Sequence, residues 1–258
     1  MSMMLLAMHV LPLYSFAGNK KDKRDYYQIK IYHCKNLEQV SKVEDYLQHA
    51  YLPALHRMGL TSIGVFTPID NDTLTDKKVI VFMPISSPEQ LVTIEHKLIA
   101  DQQLATDGAS YLNAAYDQPA YQRIESTLLH AFPLHPKYTL PTALTTPKEE
   151  RIYELRSYEG ATENLYRSKV KMFNEGGEIA LFKRLEFNAV FYSEVVSGAH
   201  MPNLMYMTTF NNRAQRDEHW KVFGSDPEWK RLSSLPEYLH TVSRADIMLL
   251  HPTSYSDF

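Results

Sequence analysis

The sequence predicts a mixed α+β fold: two tandem βαββαβ units packed sheet to sheet as one barrel within a single chain. Three observations predict it. The same order of strand and helix signals occurs twice along 258 residues. The two sets open 126 residues apart, at Tyr27 and Tyr153 (153 − 27). Between them, Pro133 to Lys148 holds four prolines and no apolar period, the mark of a connection. The limits that follow are 1–24 for a leader, 25–132 and 150–258 for the units, and 133–149 for the connection. Each unit is long enough to bury its own core.

In the first unit, Tyr27 to Tyr32 alternates with period two and reads as a strand. Leu37 to Met58 reads as a helix, with Val40, Val43, Leu47, Tyr51 and Leu55 recurring at three- and four-residue steps. Gly59 stops it, as glycine does at a helix C-terminus. Strands follow at Ser62–Thr67 and Val79–Met83, with a polar turn at Asp70-Asn71-Asp72 between them. Ser87-Pro88-Glu89-Gln90 opens a second helix with a capping serine, proline at the first helical position and Gln three residues past the cap. A last strand runs from Tyr121 to Leu129.

The second unit repeats the order. Tyr153 to Tyr158 is the strand, Thr162 to Leu185 the helix, and Phe187–Val195 and Leu204–Phe210 the next two strands. Asp226-Pro227 again sets a capping side chain before proline, and Val242–Leu250 closes the unit. Strand-helix-strand-strand-helix-strand is the split βαβ, or ferredoxin-like, arrangement. It covers one sheet face with helices and leaves the other for a partner sheet.

Alternation also assigns faces. Tyr27, Ile29 and Ile31, like Tyr153 and Leu155, should meet the helices. Gln28, Lys30 and Tyr32, and Glu154, Arg156 and Tyr158, should then face the barrel interior. On the last strands Arg123 and Glu125 share a face, as do Arg244 and Asp246. First and last strands are antiparallel neighbours here, which predicts cross-strand pairs Asp246–Arg156 and Arg244–Glu154. Buried charges must be paired or hydrated. Lys30, Arg123, Glu125, Arg244 and Asp246 are therefore expected in structural ion pairs locking the halves together. The competing expectation is a polar lumen that holds a small anionic or carbonyl-bearing ligand.

The composition excludes several classes. With 44% hydrophobic and 22% charged residues and a net charge of −3, no concentrated basic face for nucleic acid is expected. The 17 tyrosines against 2 tryptophans suit a polar-lined cavity or half-exposed sheet positions. Met3 to Phe16 is mostly apolar and ends in the small-x-small pattern Ser15-Phe16-Ala17, resembling a secretory signal cleaved after Ala17. It lacks a preceding Lys or Arg. At this length it does not reach the roughly 20 apolar residues of a spanning helix, so export without stable membrane insertion is expected, and a cytoplasmic chain if the leader is not a signal. A single Cys, Cys34, allows no internal disulfide.

Most chemical motifs are missing. His49 and His56 share a helix face but lie about 10.5 Å apart along it, too far to bind one metal together. Glu175 and Glu178 have no partnering His and read as a solvated helix face. Gly176-Gly177 interrupts a helical stretch at about 1 kcal/mol each. Neither a phosphate-cradling glycine loop nor a Gly-x-Ser-x-Gly elbow occurs. His33, His200 and His219 are single histidines that read as hydrogen-bonded structural groups. No cofactor is expected, with haem held by one His as the minor alternative.

Three segments carry a family resemblance. Arg151-Ile152-Tyr153-Glu154-Leu155-Arg156-Ser157-Tyr158 is similar to the opening strand of NIPSNAP domains, and Pro202-Asn203-Leu204-Met205-Tyr206-Met207 to their central strand. Glu218-His219-Trp220-Lys221-Val222-Phe223 followed by Asp226-Pro227-Glu228-Trp229 resembles their helix pair. Together they cover the second unit. In the first unit Gln28 replaces Glu, Lys30 replaces Arg, and both Trp positions are absent. The resemblance implies a dimeric α/β-barrel fold, whose relatives include cofactor-free monooxygenases, haem-degrading enzymes and isomerases; it implies no settled reaction. The expected function is small-molecule binding in the lumen or between sheet and helices of the second unit. Candidate residues are Glu154 and Arg156 for polar contacts, Tyr158 and Tyr192 as hydroxyl donors, Asn203 on the central strand, and Trp220 and Trp229 as walls. A cofactor-independent oxygenase or isomerase and a non-catalytic assembly module are the alternatives, and homo-oligomerisation is left open.

Overall fold

A computed structural model describes residues 23–258; the expected signal sequence lies outside the described residues. The strands are β1 (Tyr26–Cys34), β2 (Gly64–Pro68), β3 (Lys77–Ile85), β4 (Arg123–Ala131), β5 (Ile152–Glu159), β6 (Ala189–Ser197), β7 (Asn203–Phe210) and β8 (Arg244–Pro252). Helices α1 (Leu37–Tyr46) and α2 (Leu52–Arg57) follow β1; α3 (Pro88–Ala100), α4 (Gln102–Asp107) and α5 (Ala109–Leu112) follow β3. In the second half α6 (Glu163–Asn174) and α7 (Glu178–Arg184) follow β5, and α8 (Arg213–Ser225) and α9 (Pro227–Ser233) follow β7.

All eight strands close into one antiparallel barrel in the order β1-β3-β2-β8-β5-β7-β6-β4. The halves do not stack as two sheets. They join edge to edge through backbone ladders, β2 with β8 over Phe66↔Pro252 to Pro68↔Leu250, and β4 with β6 across a bulge at Leu128/Leu129. Full closure leaves no free strand edge among the described residues.

The helix signals resolve into local detail. Ser87 accepts from the Gln90 amide, while the Gln90 side chain turns back to the Ser86 amide. The long first helix is not uniform: Leu47–Tyr51 widens into a π turn, in which the Leu52 amide donates to the Leu47 carbonyl. Pro53, which cannot donate to the carbonyl four residues back, accounts for the wider turn. In the second half the pair Gly176-Gly177 splits the expected helix into α6 and α7, with Gly177 at φ 94°. That left-handed backbone is open to glycine at little cost.

The faces are the reverse of those expected. Tyr27, Ile29, Tyr153 and Leu155 point into the lumen, where Phe82 stacks on Phe191 at 4.9 Å and Phe66 packs on Tyr153 at 4.9 Å. The C-terminal Phe258 joins them against Phe66 and Phe82. Lys30, Tyr32, Glu154, Arg156 and Tyr158 instead lie under the helices. The physical reason is that both faces of these strands are covered. An eight-stranded barrel is filled by side chains and takes the mainly apolar and aromatic, uncharged set. Long amphipathic side chains fit the sheet-helix space, where their charged ends find partners or reach its margin.

The predicted cross-strand pairs are therefore absent. Arg156 lies opposite Ile247, Ser157 opposite Asp246 and Glu159 opposite Arg244. Arg244 pairs with Asp246 of its own strand and with Glu159 at 3.7 Å, and Arg123 pairs with Glu125 at 3.2 Å. Because β1 and β5 are four antiparallel steps apart, they run the same way. Both clusters accordingly sit at one barrel mouth, the first joined by His33, which lies between Asp76 (2.9 Å) and Glu125 (3.3 Å). Lys30 pairs with Glu95 at 3.6 Å.

Candidate functional site: two unequal sheet-helix clefts

In the second half the space between sheet and helices is occupied by the side chains themselves. Glu154 on β5 is fully buried and accepts from Arg156 Nε (2.7 Å), from Arg216 Nε and Nη2 (2.8 Å each) and from Trp220 Nε1 (2.7 Å). Burial alone would push this carboxyl up. The Arg216 hydrogen bonds, the Arg156 charge and the Trp220 indole outweigh it and hold it below its ordinary value. Arg156 lies 3.6 Å from the centre of the Trp220 ring and donates to the Tyr158 hydroxyl, which contacts that of Tyr206 at 2.9 Å. Trp229 packs on Phe223 at 4.4 Å.

The segregation of roles differs from the sequence reading. Glu154, Arg156, Tyr158 and Trp220 form one hydrogen-bonded cluster, and Trp229 packs beside it. Tyr192 lies against Phe182 and Tyr206 in the same aromatic layer. Asn203 stands apart, bonded to Ser157 at 2.8 Å. Glu178, expected on a solvated face, is buried and accepts from buried Lys169 at 2.8 Å. Burial dominates there and raises the Glu178 carboxyl despite the lysine. Arg216 and Lys169 had no distinguishing signal in the sequence, since a cation on an amphipathic helix reads as solvated.

The corresponding space in the first half is open. A cavity of about 650 Å³ elsewhere is larger, but this cleft of about 370 Å³ lies directly between sheet and helices. It is lined by Lys30 and Tyr32 of β1, Tyr46 and Tyr51, Glu95 and Leu98 of α3, and Leu104, Tyr111 and Ile124. Helix caps set the two spaces in register. Asn212 matches Ser87 and Asp226 matches Asp101, both at an offset of 125 (212 − 87 and 226 − 101). By that offset Glu95 stands where the second half has Trp220, and Leu104 where it has Trp229. Smaller side chains stand at the positions equivalent to the two indoles.

The polar end of the cleft is built by β1 and the π turn. Lys30 Nζ donates to the Tyr51 hydroxyl at 3.3 Å and pairs with Glu95. Burial alone would lower the Lys30 ammonium; Tyr51 and Glu95 prevail and raise it, so it stays charged at neutral pH. Burial pushes the Tyr32, Tyr46 and Tyr111 phenols up, keeping them protonated. Tyr46 and Tyr111 stack at 3.9 Å. The rim is apolar, with Ile99 82%, Leu112 47% and Ile124 37% exposed. An apolar slot ending in one ammonium, one carboxylate and one phenol can hold a ring compound and orient a single polar substituent. Among the described residues no group of three or more His, Cys, Asp or Glu is placed to hold a metal ion, and no helix is long and apolar enough to cross a membrane.

No curated protein matches the sequence. Two solved structures share the fold over nearly the whole chain. One is a candidate monooxygenase from Lactobacillus acidophilus NCFM, with TM-score 0.54 and 11% identity, covering 89% of this chain and 94% of its own. The other is an anthrone oxidase-like protein, with TM-score 0.52 and 7% identity, covering 90% and 92%. A NIPSNAP-like domain protein from Burkholderia xenovorans aligns at 19% identity over 42% of this chain and 89% of its own, with TM-score 0.37. The family model described as NIPSNAP matches residues 153–257. Residues 153–257, the second half of this eight-stranded barrel, are thus similar to NIPSNAP domains.

Proposed function

We propose that the protein binds a small, largely apolar ring compound in the first-half sheet-helix cleft, and that the two halves are copies of one unit that have divided their roles. The second copy keeps its Trp-Arg-Glu cluster as a packed support. The first has exchanged it for a binding slot. The observation that carries this reading is the open cleft of about 370 Å³ at the positions where Glu95 and Leu104 stand in place of Trp220 and Trp229. Its polar end suits one hydroxyl or carbonyl of the ligand, which Lys30 and Tyr51 meet as donors and Glu95 as acceptor.

A fluorinated phenol tests it. With 4-fluorophenol, the 19F line of the ligand should broaden and shift on addition of protein, with a Kd on the order of 1 mM for so few atoms. Leu104→Trp should abolish the effect while leaving the fold intact, because the same position holds Trp in the second half. Undiminished binding by Leu104→Trp would place the ligand elsewhere.

A second reading, cofactor-independent oxygenation, draws on the charge of Lys30, which would stabilise a phenolate oxygen, and on the names of the two full-length fold neighbours. Its assay is oxygen uptake with phenols and quinols. Uptake abolished by Lys30→Met would support it, and silence across such a panel would leave binding alone.

A further inference from the structure

The cavity of about 650 Å³ lies outside the cleft just described, between the connecting segment and the second half. One wall is residues 134–143. This segment is pinned at both ends: the Phe132 amide donates to the Tyr192 carbonyl and the Thr139 amide to the Val190 carbonyl (2.9 Å each), and farther on the Thr145 amide donates to Asn211 Oδ1 (2.7 Å). Ile179, Phe182 and Lys183 of α7 and Ala189 and Tyr192 of β6 line the space on its other side. The opposite wall includes Glu186 and Asn188, both with left-handed backbone at φ 56° and 43°. For glutamate that conformation costs about 1–2 kcal/mol, and such costs concentrate where a site is being shaped.

Two polar side chains that line this cavity, those of Tyr192 and Lys183, have no hydrogen-bond or ion-pair partner among the described residues. Tyr192 is only 2% exposed, yet its hydroxyl makes no hydrogen bond among the described residues. Burial and the nearby Glu178 push the phenol up, so it stays a donor. Lys183 forms no ion pair with a described carboxylate, whereas its neighbour Arg184 holds Asp226 at 2.9 Å and Glu228 at 3.6 Å. His135 contacts the Val190 carbonyl through Nε2 (3.3 Å), and His219 the Leu185 carbonyl through Nδ1 (3.0 Å). Each imidazole thus spends one nitrogen on the backbone. The floor between these groups is Phe182 and Ile179, with Leu140 opposite.

We propose that this cavity is a second binding site, for a small carboxylate with an apolar body. Lys183 and Tyr192 receive the carboxylate, and the apolar body lies on Phe182 and Ile179 beneath the connecting segment. A tyrosine hydroxyl and an exposed ammonium, neither with a partner among the described residues, over an apolar floor fit an anion of this kind better than a neutral or cationic ligand. Glu186 on the same rim disfavours a second negative charge, which restricts the class to monocarboxylates.

The test uses the full chain with 4-fluorobenzoate, 4-fluorobenzamide and 4-fluorobenzylamine, followed by 19F NMR. The benzoate should bind about tenfold more tightly than the amide, and the amine should not bind. Lys183→Met and Tyr192→Phe should each weaken benzoate several-fold, with an unchanged melting temperature for Lys183→Met. Leu104→Trp, which fills the other cleft, should leave benzoate binding untouched, so the two sites fail independently. Equal binding of benzoate and amide, no benzoate binding, or loss in Leu104→Trp with none in Lys183→Met would each overturn the proposal.

Discussion

Glu154 is the focus of the second half's polar cluster, because three different residues aim donors at one fully buried carboxylate. Glu154→Gln leaves two guanidinium groups facing a neutral amide and should cost about 3–5 kcal/mol, read from urea unfolding at pH 7. The pH dependence has a defined sign. The folded carboxyl is held below the ordinary 4.5, so its contribution is complete above that value and is lost as pH falls through the folded value. The wild type should therefore lose stability below about pH 4.5, and Glu154→Gln should flatten that acid limb. An acid limb unchanged in the variant would mean the titrating group lies elsewhere. Glu178 works in the opposite direction: its raised carboxyl contributes most below 4.5 and loses that contribution as pH rises.

Elements were legible in the sequence wherever their signals were local. The caps Ser87, Thr162 and Asp226 all accept from backbone amides of the turns they open. The π turn was also announced, by Pro53, but a heptad-like apolar period masked it, since Leu47, Tyr51 and Leu55 fall on one face in either geometry. Gly177 has a sharper signature. At φ 94° a side chain is strained even though nothing lies within 4 Å of the added carbon. Gly177→Ala should accordingly lower stability by about 1–2 kcal/mol without disturbing a neighbour, measured as a shift in urea midpoint at constant slope. A neutral outcome would show that α6 and α7 can join by another backbone path.

At the scale of the whole molecule, strand phase was the part that sequence could not settle. Alternation separates two faces, but in a closed barrel wrapped by helices both are buried, and Ile29 and Lys30 differ only in which dry environment they enter. Closure itself depends on β2 meeting β8 and β4 meeting β6, contacts far apart in sequence with no motif of their own. The candidate site was half legible. The missing tryptophans were visible, but the space they leave required the sheet and α3 to be set side by side. Shared closure predicts cooperative unfolding. Trp220 and Trp229 report the second half by fluorescence. Cys34, buried and with its thiol pushed up to about 11, reports the first by pulsed thiol labelling. The two midpoints in urea should coincide, and separated midpoints would mean the halves are independent domains.

The division of roles between the halves is tested most directly by methyl NMR during titration with 4-fluorophenol. Shifts should concentrate on Leu98, Leu104 and Ile124 around the first-half cleft and leave the methyls near Trp220 and Trp229 unmoved. Shifts confined to the second half, or scattered over the surface without saturation, would contradict the account.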